Sequence, residues 1–374
     1  MAWSDTYLGR TIIKDSSMSD QISFTGLKRQ YENLRTELLD VTDSVLRTGQ
    51  VMNGEQTNRF EQWLCERNQS KYAVTCHSGT QALEIIASYI ATSASIPPVA
   101  LIPSVSFRAT ANAMIRSGWD LHFVDVDSYG QFRRDNIPQL ISYQATVIVG
   151  LYGLYPTMAR RPSRDRVIED AAQHWLAGPP LGNRAISFDP TKNLGNFGNG
   201  GAVITNDHSL YVFAKHWCNN NLASVAATDV DVIGTNSRMS EVDCAQLLVK
   251  SQYIDAWQQR RRTIATYWIK RFADKPGIRC LVNNKNINRH ALQKFVISVG
   301  DQNQLAEKLK QAGIETKVHY EKPLHEMYRQ YPGPGLLSAA SALCRTVLSL
   351  PIYPELTDSE VEYIADQVLA GVDS

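Results

Sequence analysis

The sequence predicts an α/β protein, with a large sheet-based domain followed by a smaller C-terminal α/β domain. Three observations predict it. Short β-branched runs alternate with helical segments between residues 72 and 205. Acidic, basic and small residues gather where those runs end, which is where ligands sit in such sheets. A chain of 374 residues, 43% hydrophobic and 20% charged, is long enough to divide its core in two. The expected boundaries are 1–20 for a flexible N-terminal extension, 21–250 for the large domain and 251–374 for the small one.

In chain order, residues 1–20 are polar and aperiodic. From Lys28, apolar positions at Tyr31, Leu34, Leu38, Val41 and Val45 predict a helix that stops at Thr48-Gly49, where glycine can take the left-handed cap. A second helix is expected over Gln56–Arg67. Strands follow at Tyr72–Cys76, Val99–Ile102, Leu121–Asp125, Thr146–Val149, Arg166–Ile168, Ala185–Phe188 and Ala202–Thr205, with helices at Gln81–Tyr89 and Ala109–Ile115. Ser240 caps a long helical region running to Phe272, whose Arg260-Arg261-Arg262 cluster reads as a solvated face. Beyond it, strands at Ala291–Val299 and Glu315–His319 flank a helix at Gln302–Gln311, and a final helix starts at Ser359.

Composition excludes several function classes. Thirty-eight Lys plus Arg against 37 Asp plus Glu leaves +1, so no basic field exists to hold nucleic acid or an anionic membrane. Six cysteines without a CxxC pair predict neither a zinc module nor a disulfide framework. The N-terminus has no continuous apolar stretch of the secretory kind, and Ala82–Ile102 is interrupted by Glu84 and Pro97-Pro98. A cytoplasmic protein with no bound metal is expected.

Four segments carry the chemistry. Cys76-His77-Ser78-Gly79-Thr80 turns a strand into a helix whose exposed N–H groups and dipole can hold a phosphate, although a merely capped helix start has the same residues. Ile168-Glu169-Asp170 puts an acid at the end of a buried strand. A carboxylate there needs a cationic partner, and a protonated pyridine nitrogen is one. Ser187-Phe188-Asp189-Pro190-Thr191-Lys192 brings a lysine to the same edge, and a lysine of depressed pKa forms Schiff bases. The glycine run after it does not have GxGxxG spacing and precedes a strand, so it is not a dinucleotide loop. Gly234-Thr235-Asn236-Ser237-Arg238 is a polar loop before the long helix.

Together with LKRQYENLRTELLD, SGTQAL, IPSVSFRATANAM, VIEDAAQ, SFDPTKNLGNFGNGGAVITND, GTNSRMSEVDCAQLL, VHYEKPLHEMY and LSLPIYPELT, these segments resemble the DegT/DnrJ/EryC1/StrS nucleotide-sugar aminotransferases from about Phe24 onward. The resemblance implies the aspartate aminotransferase-like fold (type I), with a large mixed-sheet domain. It also implies pyridoxal 5′-phosphate as cofactor, cycling through pyridoxamine 5′-phosphate. Lys192 would form the lysine aldimine and shuttle the proton, and Asp170 would pair with the pyridinium nitrogen. Phe107 would stack on the ring and Gln173 lie beside its hydroxyl, while Gly79, Thr80 and Ser187 would hold the phosphate. Asn236 would reach the phosphate of a neighbouring subunit, which implies a homodimer with shared sites. His319, Tyr320 and His325 match the substrate loop of members acting at sugar C3 rather than C4. The implied reaction is a ping-pong transfer from L-glutamate to a keto sugar on a nucleoside diphosphate.

Departures from the family pattern are Gly150 in place of a histidine, Leu154 in place of glutamine, Gln293 in place of a second histidine, and shortened segments after Tyr155 and after His174. Two other readings are a pyridoxamine-dependent sugar dehydratase, against which Lys192 argues because that branch has histidine there, and an inactive cofactor-binding regulator.

Overall fold

The computed structural model describes residues 6–7, 10–11, 21–93, 97–133, 137, 142–157, 166–222, 232–331 and 337–373. Two short strands, β1 (Thr6–Tyr7) and β2 (Arg10–Thr11), pair with each other. The remainder of 1–20, with the expected flexible extension, lies outside the described residues.

Helix α1 (Leu27–Thr48) buries Leu34, Leu38 and Val45 on one side and ends at Gly49, whose φ of 70° carries the left-handed cap. Helix α2 (Glu55–Asn68) follows. The large sheet is then laid down by β3 (Tyr72–Cys76), α3 (Gly79–Ala91), β4 (Val99–Pro103), α4 (Arg108–Arg116), β5 (Asp120–Val124), β6 (Ala145–Val149), β7 (Val167–Asp170), β8 (Asn183–Ser187) and β9 (Gly201–Thr205). Its order is β3-β9-β8-β7-β6-β4-β5. Six strands run one way; β9 alone is reversed, antiparallel to both β3 and β8. All seven expected strands form, within about two residues at each end.

Alternate strand residues enter opposite layers. Val74 and Cys76 pack with Ile86 and Phe123 on one face, whereas Ala73 packs with Phe60, Phe188 and Trp257 on the other. Helix α5 (His208–Cys218) follows β9. The long helical region is two helices, α6 (Glu241–Ser251) and α7 (Ile254–Phe272). Between them Gln252 and Tyr253 donate to Val249 and Lys250 at 3.2 and 3.1 Å, tightening the last turn of α6 before α7 sets off. Ser240 caps α6 by accepting from the Asp243 amide.

The arginine cluster is a correction. Arg261 is buried and donates to the carbonyls of Leu292 and Ile352; Arg260 and Arg262 donate to Leu356 and Ile287. These are seams between α7 and the chain beyond it, not a solvated face. A second sheet, antiparallel, is formed by β10 (Arg279–Cys280), β11 (Phe295–Ser298) and, after α8 (Gln302–Gln311), α9 (Leu324–Met327) and α10 (Ser338–Cys344), by β12 (Val347–Leu350). Helix α11 (Asp358–Asp373) closes its core with Trp268, Phe295 and Ile364. Ile22 joins this core, bridged to Ile314. The expected strand at Glu315–His319 reduces to one bridge, Lys317 to Ser349, after which the chain turns and Tyr320 reaches Gln173. Among the described residues no helix is long and apolar enough to cross a membrane.

Candidate active site

The six strands of common direction end at one edge, and the predicted segments meet there. Two glycines permit the closest approach. A Cβ on Gly79 would stand 2.7 Å from Ser187 Cβ, and one on Gly201 would stand 2.3 Å from the carbonyl carbon of Ser78. Three chain segments thus converge around the start of α3. Ser78 caps that helix by accepting from the Gln81 amide at 3.2 Å, while the amides of Gly79 and Thr80 have no acceptor among the described residues. Ser187 is buried, with its hydroxyl accepting from the Asp189 amide at 3.2 Å. The arrangement can hold an oxyanion.

Asp170, 7% exposed, ends β7. It accepts 2.7 Å from Thr110 Oγ1, which lies 2.6 Å from Ser106 Oγ. Phe107, between them in sequence, extends from the start of α4 with 55% exposure, unusual for a ring this size. Gln173 is buried; its Oε1 accepts from the Tyr152 amide at 2.7 Å and its Nε2 donates to Tyr320 Oη at 3.3 Å. The Tyr320 ring lies 6.0 Å from that of Phe107, and its hydroxyl is pushed up by burial and by Asp170.

Lys192 follows β8 on a turn closed by its own amide to the Asp189 carbonyl at 2.8 Å. Its amine has no hydrogen bond or ion pair among the described residues. Burial pushes it below the usual lysine value, against the pull of Asp189 and Asp170. Burial of this kind favours the neutral amine, the form that attacks a carbonyl.

His319 shares a hydrogen bond of 2.9 Å with Ser349 Oγ, and burial, Lys294 and Lys192 push its ring down to about 2. It is a neutral imidazole. His325 sits 2.5 Å from Ser104 Oγ just beyond β4, with its ring also lowered by burial. Asn236 does not join the cluster within one chain. Its side chain is exposed and accepts from Arg238 at 3.0 and 3.1 Å, although the next residue, Ser237, holds the His77 amide at 2.9 Å.

Sequence reasoning missed three residues. Thr110 orients Asp170 from a helix whose periodicity marks it only as core. Tyr152, at φ 62°, occupies a region costly for a bulky side chain, and its hydroxyl donates to the His319 carbonyl at 2.5 Å. Lys294 is a buried lysine directly before β11; a charge breaking an apolar run was its only signal. Gly150 also finds its reason here. A Cβ on it would stand 2.2 Å from His174 Cγ, so the His174 ring occupies the space of any side chain at 150.

A buried carboxylate, an unpartnered amine, an exposed aromatic face and a helix start with free amides are the donor set that a phosphorylated pyridine aldehyde requires, and the residues present fit it. The model of the DegT/DnrJ/EryC1/StrS aminotransferase family matches residues 32–369. EryC1 of Saccharopolyspora erythraea, named an erythromycin biosynthesis sensory transduction protein, is 31% identical over 94% of this chain and 99% of its own. The dTDP-3-amino-3,4,6-trideoxy-alpha-D-glucose transaminase of Streptomyces venezuelae is 30% identical over 93% and 95%. In structure, S. venezuelae DesV, solved with a ketimine intermediate, superposes with a TM-score of 0.84 at 27% identity, covering 95% of this chain and 100% of its own. Fold, donor set and family match agree, and the chain belongs to the DegT/DnrJ/EryC1/StrS aminotransferases as a pyridoxal phosphate-dependent enzyme.

Proposed function

We propose that the protein transfers the amino group of L-glutamate to a keto sugar carried on a nucleoside diphosphate, in two half-reactions that share one lysine. The observation that carries this reading is the unpartnered, pKa-lowered amine of Lys192 at the strand edge that also presents Asp170. Pyridoxal phosphate bound there supplies a carbonyl that exchanges amines and a ring that accepts electrons. Asp170, kept in place by Thr110, sets a negative charge where the ring nitrogen lies. Gly79, Thr80 and Ser187 hold the phosphate through amides and a hydroxyl, Phe107 covers one ring face, and Gln173 faces the ring hydroxyl. Lys192, once released, holds and moves the proton at its Nζ.

His319, Tyr320 and His325 line the sugar side in this reading. Position C3 is favoured over C4, supported by the transaminase relative whose name places the amine at C3. The exposed Asn236 supports a homodimer in which each chain completes its partner's phosphate site. The domain division falls between residues 250 and 251, at the end of α6, with Ile22 and Phe24 crossing back to the smaller domain at Ile314 and Glu315, and the setting is cytoplasmic. The name of EryC1 supports a second reading, a cofactor-binding regulator without turnover.

One experiment separates them. The purified protein with its cofactor is yellow, and addition of L-glutamate discharges the colour with release of 2-oxoglutarate. A yellow protein that ignores every amino donor sinks the transaminase reading in favour of the regulator. A coupled assay across 3-keto and 4-keto nucleotide sugars then decides the position.

A further inference from the structure

Lys294 is 5% exposed, yet its amine has no hydrogen bond or ion pair among the described residues. It is held against the site from two sides. Its own amide donates to the Tyr152 carbonyl at 3.1 Å, and the preceding Gln293 donates to the Thr191 carbonyl at 3.0 Å, next to Lys192. Its amine lies 6.0 Å from the centre of the Phe24 ring, which also has Lys317 Nζ at 5.1 Å and the His319 ring at 5.7 Å. Lys317 has a carboxylate, Glu315, at 3.6 Å; Lys294 has none at ion-pair distance among the described residues, and the pull of the more distant Asp189 is opposed by Lys192, Lys317 and Arg261. Phe24, Thr191, Lys192 and Gln293 line one cleft beside it.

Burying an ammonium without a partner is unfavourable, and proteins relieve this by neutralising the group or pairing it. Burial and the neighbouring Lys192 push the Lys294 amine well below the usual lysine value. An anion placed beside such an amine favours its charged form. Such an anion would lie between the Lys294 amine and the Phe24 ring, close enough to Lys192 for the two amines to act on one another.

Resting on the aminotransferase reading, we propose that Lys294 is a specificity residue that binds a substrate carboxylate beside the Lys192 amine. The carboxylate comes from the amino donor or from a sugar oxidised at C6.

The test compares the wild-type holoenzyme with Lys294→Met and Lys294→Arg. Probes are glutarate, an unreactive dicarboxylate titrated by calorimetry and by the cofactor absorbance, L-glutamate, 1-aminopropane as a donor without a carboxylate, and UDP-linked 3-amino sugars with and without a C6 carboxyl. Lys294→Met is expected to weaken glutarate and raise KM for L-glutamate by about 10- to 100-fold, the value of a charged hydrogen bond. KM rises more than kcat falls, 1-aminopropane is handled as by wild type, and arginine restores most of the affinity. A loss confined to the C6-carboxyl sugar assigns the carboxylate to the sugar and keeps the proposal. Unchanged handling of every carboxylate probe, or an equal loss with probes that lack one, overturns it. If Lys294→Met is not recovered folded, Lys294→Arg decides, because an arginine variant that loses glutarate affinity contradicts an anion site. Wild-type protein that binds glutarate through Lys294 but transaminates nothing leaves this site standing and removes the aminotransferase reading.

Discussion

Neighbouring residues of β7 face two charge groups of opposite construction. Glu169 is fully buried and closed on every side. It accepts from Arg184 and His174 at 2.8 Å each and from the Leu181 amide at 2.8 Å, while Arg184 also reaches Asn68, Gly178 and Pro179. Asp170, one residue on and so on the other face, looks toward Lys192, whose amine has no hydrogen bond or ion pair among the described residues, and the Lys294 and His319 group beyond it. With only Arg184 Nε left without a hydrogen bond among the described residues, the first group has its charges paired without a ligand. The second is complete only with one, and that difference separates charge used for architecture from charge kept for chemistry.

The comparison can be broken from either side. The largest effect is expected at Lys192→Ala: transamination falls on the order of 10²–10⁴-fold, while thermal stability holds, since no hydrogen bond or ion pair of the amine among the described residues is lost. Single-turnover rates alongside a melting curve check it, and a large fall in melting temperature would mean that the open group is structural after all. Glu169→Gln should do the reverse. It leaves Arg184 buried without its counter-charge and costs about 3–5 kcal/mol in urea unfolding, with turnover per folded molecule retained.

Acid sharpens the same contrast. Burial alone would raise Glu169, but Arg184 and His174 prevail and lower it from 4.5 to about 2. Its stabilising contribution is therefore fully present above about 4.5 and is lost as the pH falls toward 2. Urea midpoints taken across that window should drop more steeply for wild type than for Glu169→Gln. Phe107→Ala is the smallest change. Removal of an exposed ring should leave the melting temperature alone and weaken the cofactor by about 0.5–1.5 kcal/mol, read from cofactor dissociation by equilibrium dialysis.

The open group was more legible in the sequence than the closed one. Gly79, Asp170 and Lys192 stand at strand ends, where local pattern and position in the sheet coincide. The Glu169 group depends on Asn68 and on the turn at Gly178-Pro179, which no local pattern connects to β7. Lys294 and Tyr152 went unread for the same reason, since each becomes part of the site only when the smaller sheet is set against the larger. Arg261 was misread because its acceptors are backbone carbonyls, which leave no mark in a side-chain pattern.

The reversed strand β9 has a consequence for how the molecule assembles. It pairs residues 201–205 with 72–76 on one side and residues 201–204 with 184–187 on the other, so β3 cannot join the sheet until the chain through β9 has been made. The Gly79–Ser187 and Gly201–Ser78 approaches close in that same step. Contacts so distant in sequence form late, because the intervening loop loses its entropy before any pairing compensates. A chain still emerging during synthesis thus presents Lys192 before the phosphate cradle can exist, so a site able to grip the cofactor's phosphate has to wait for β9 to be made.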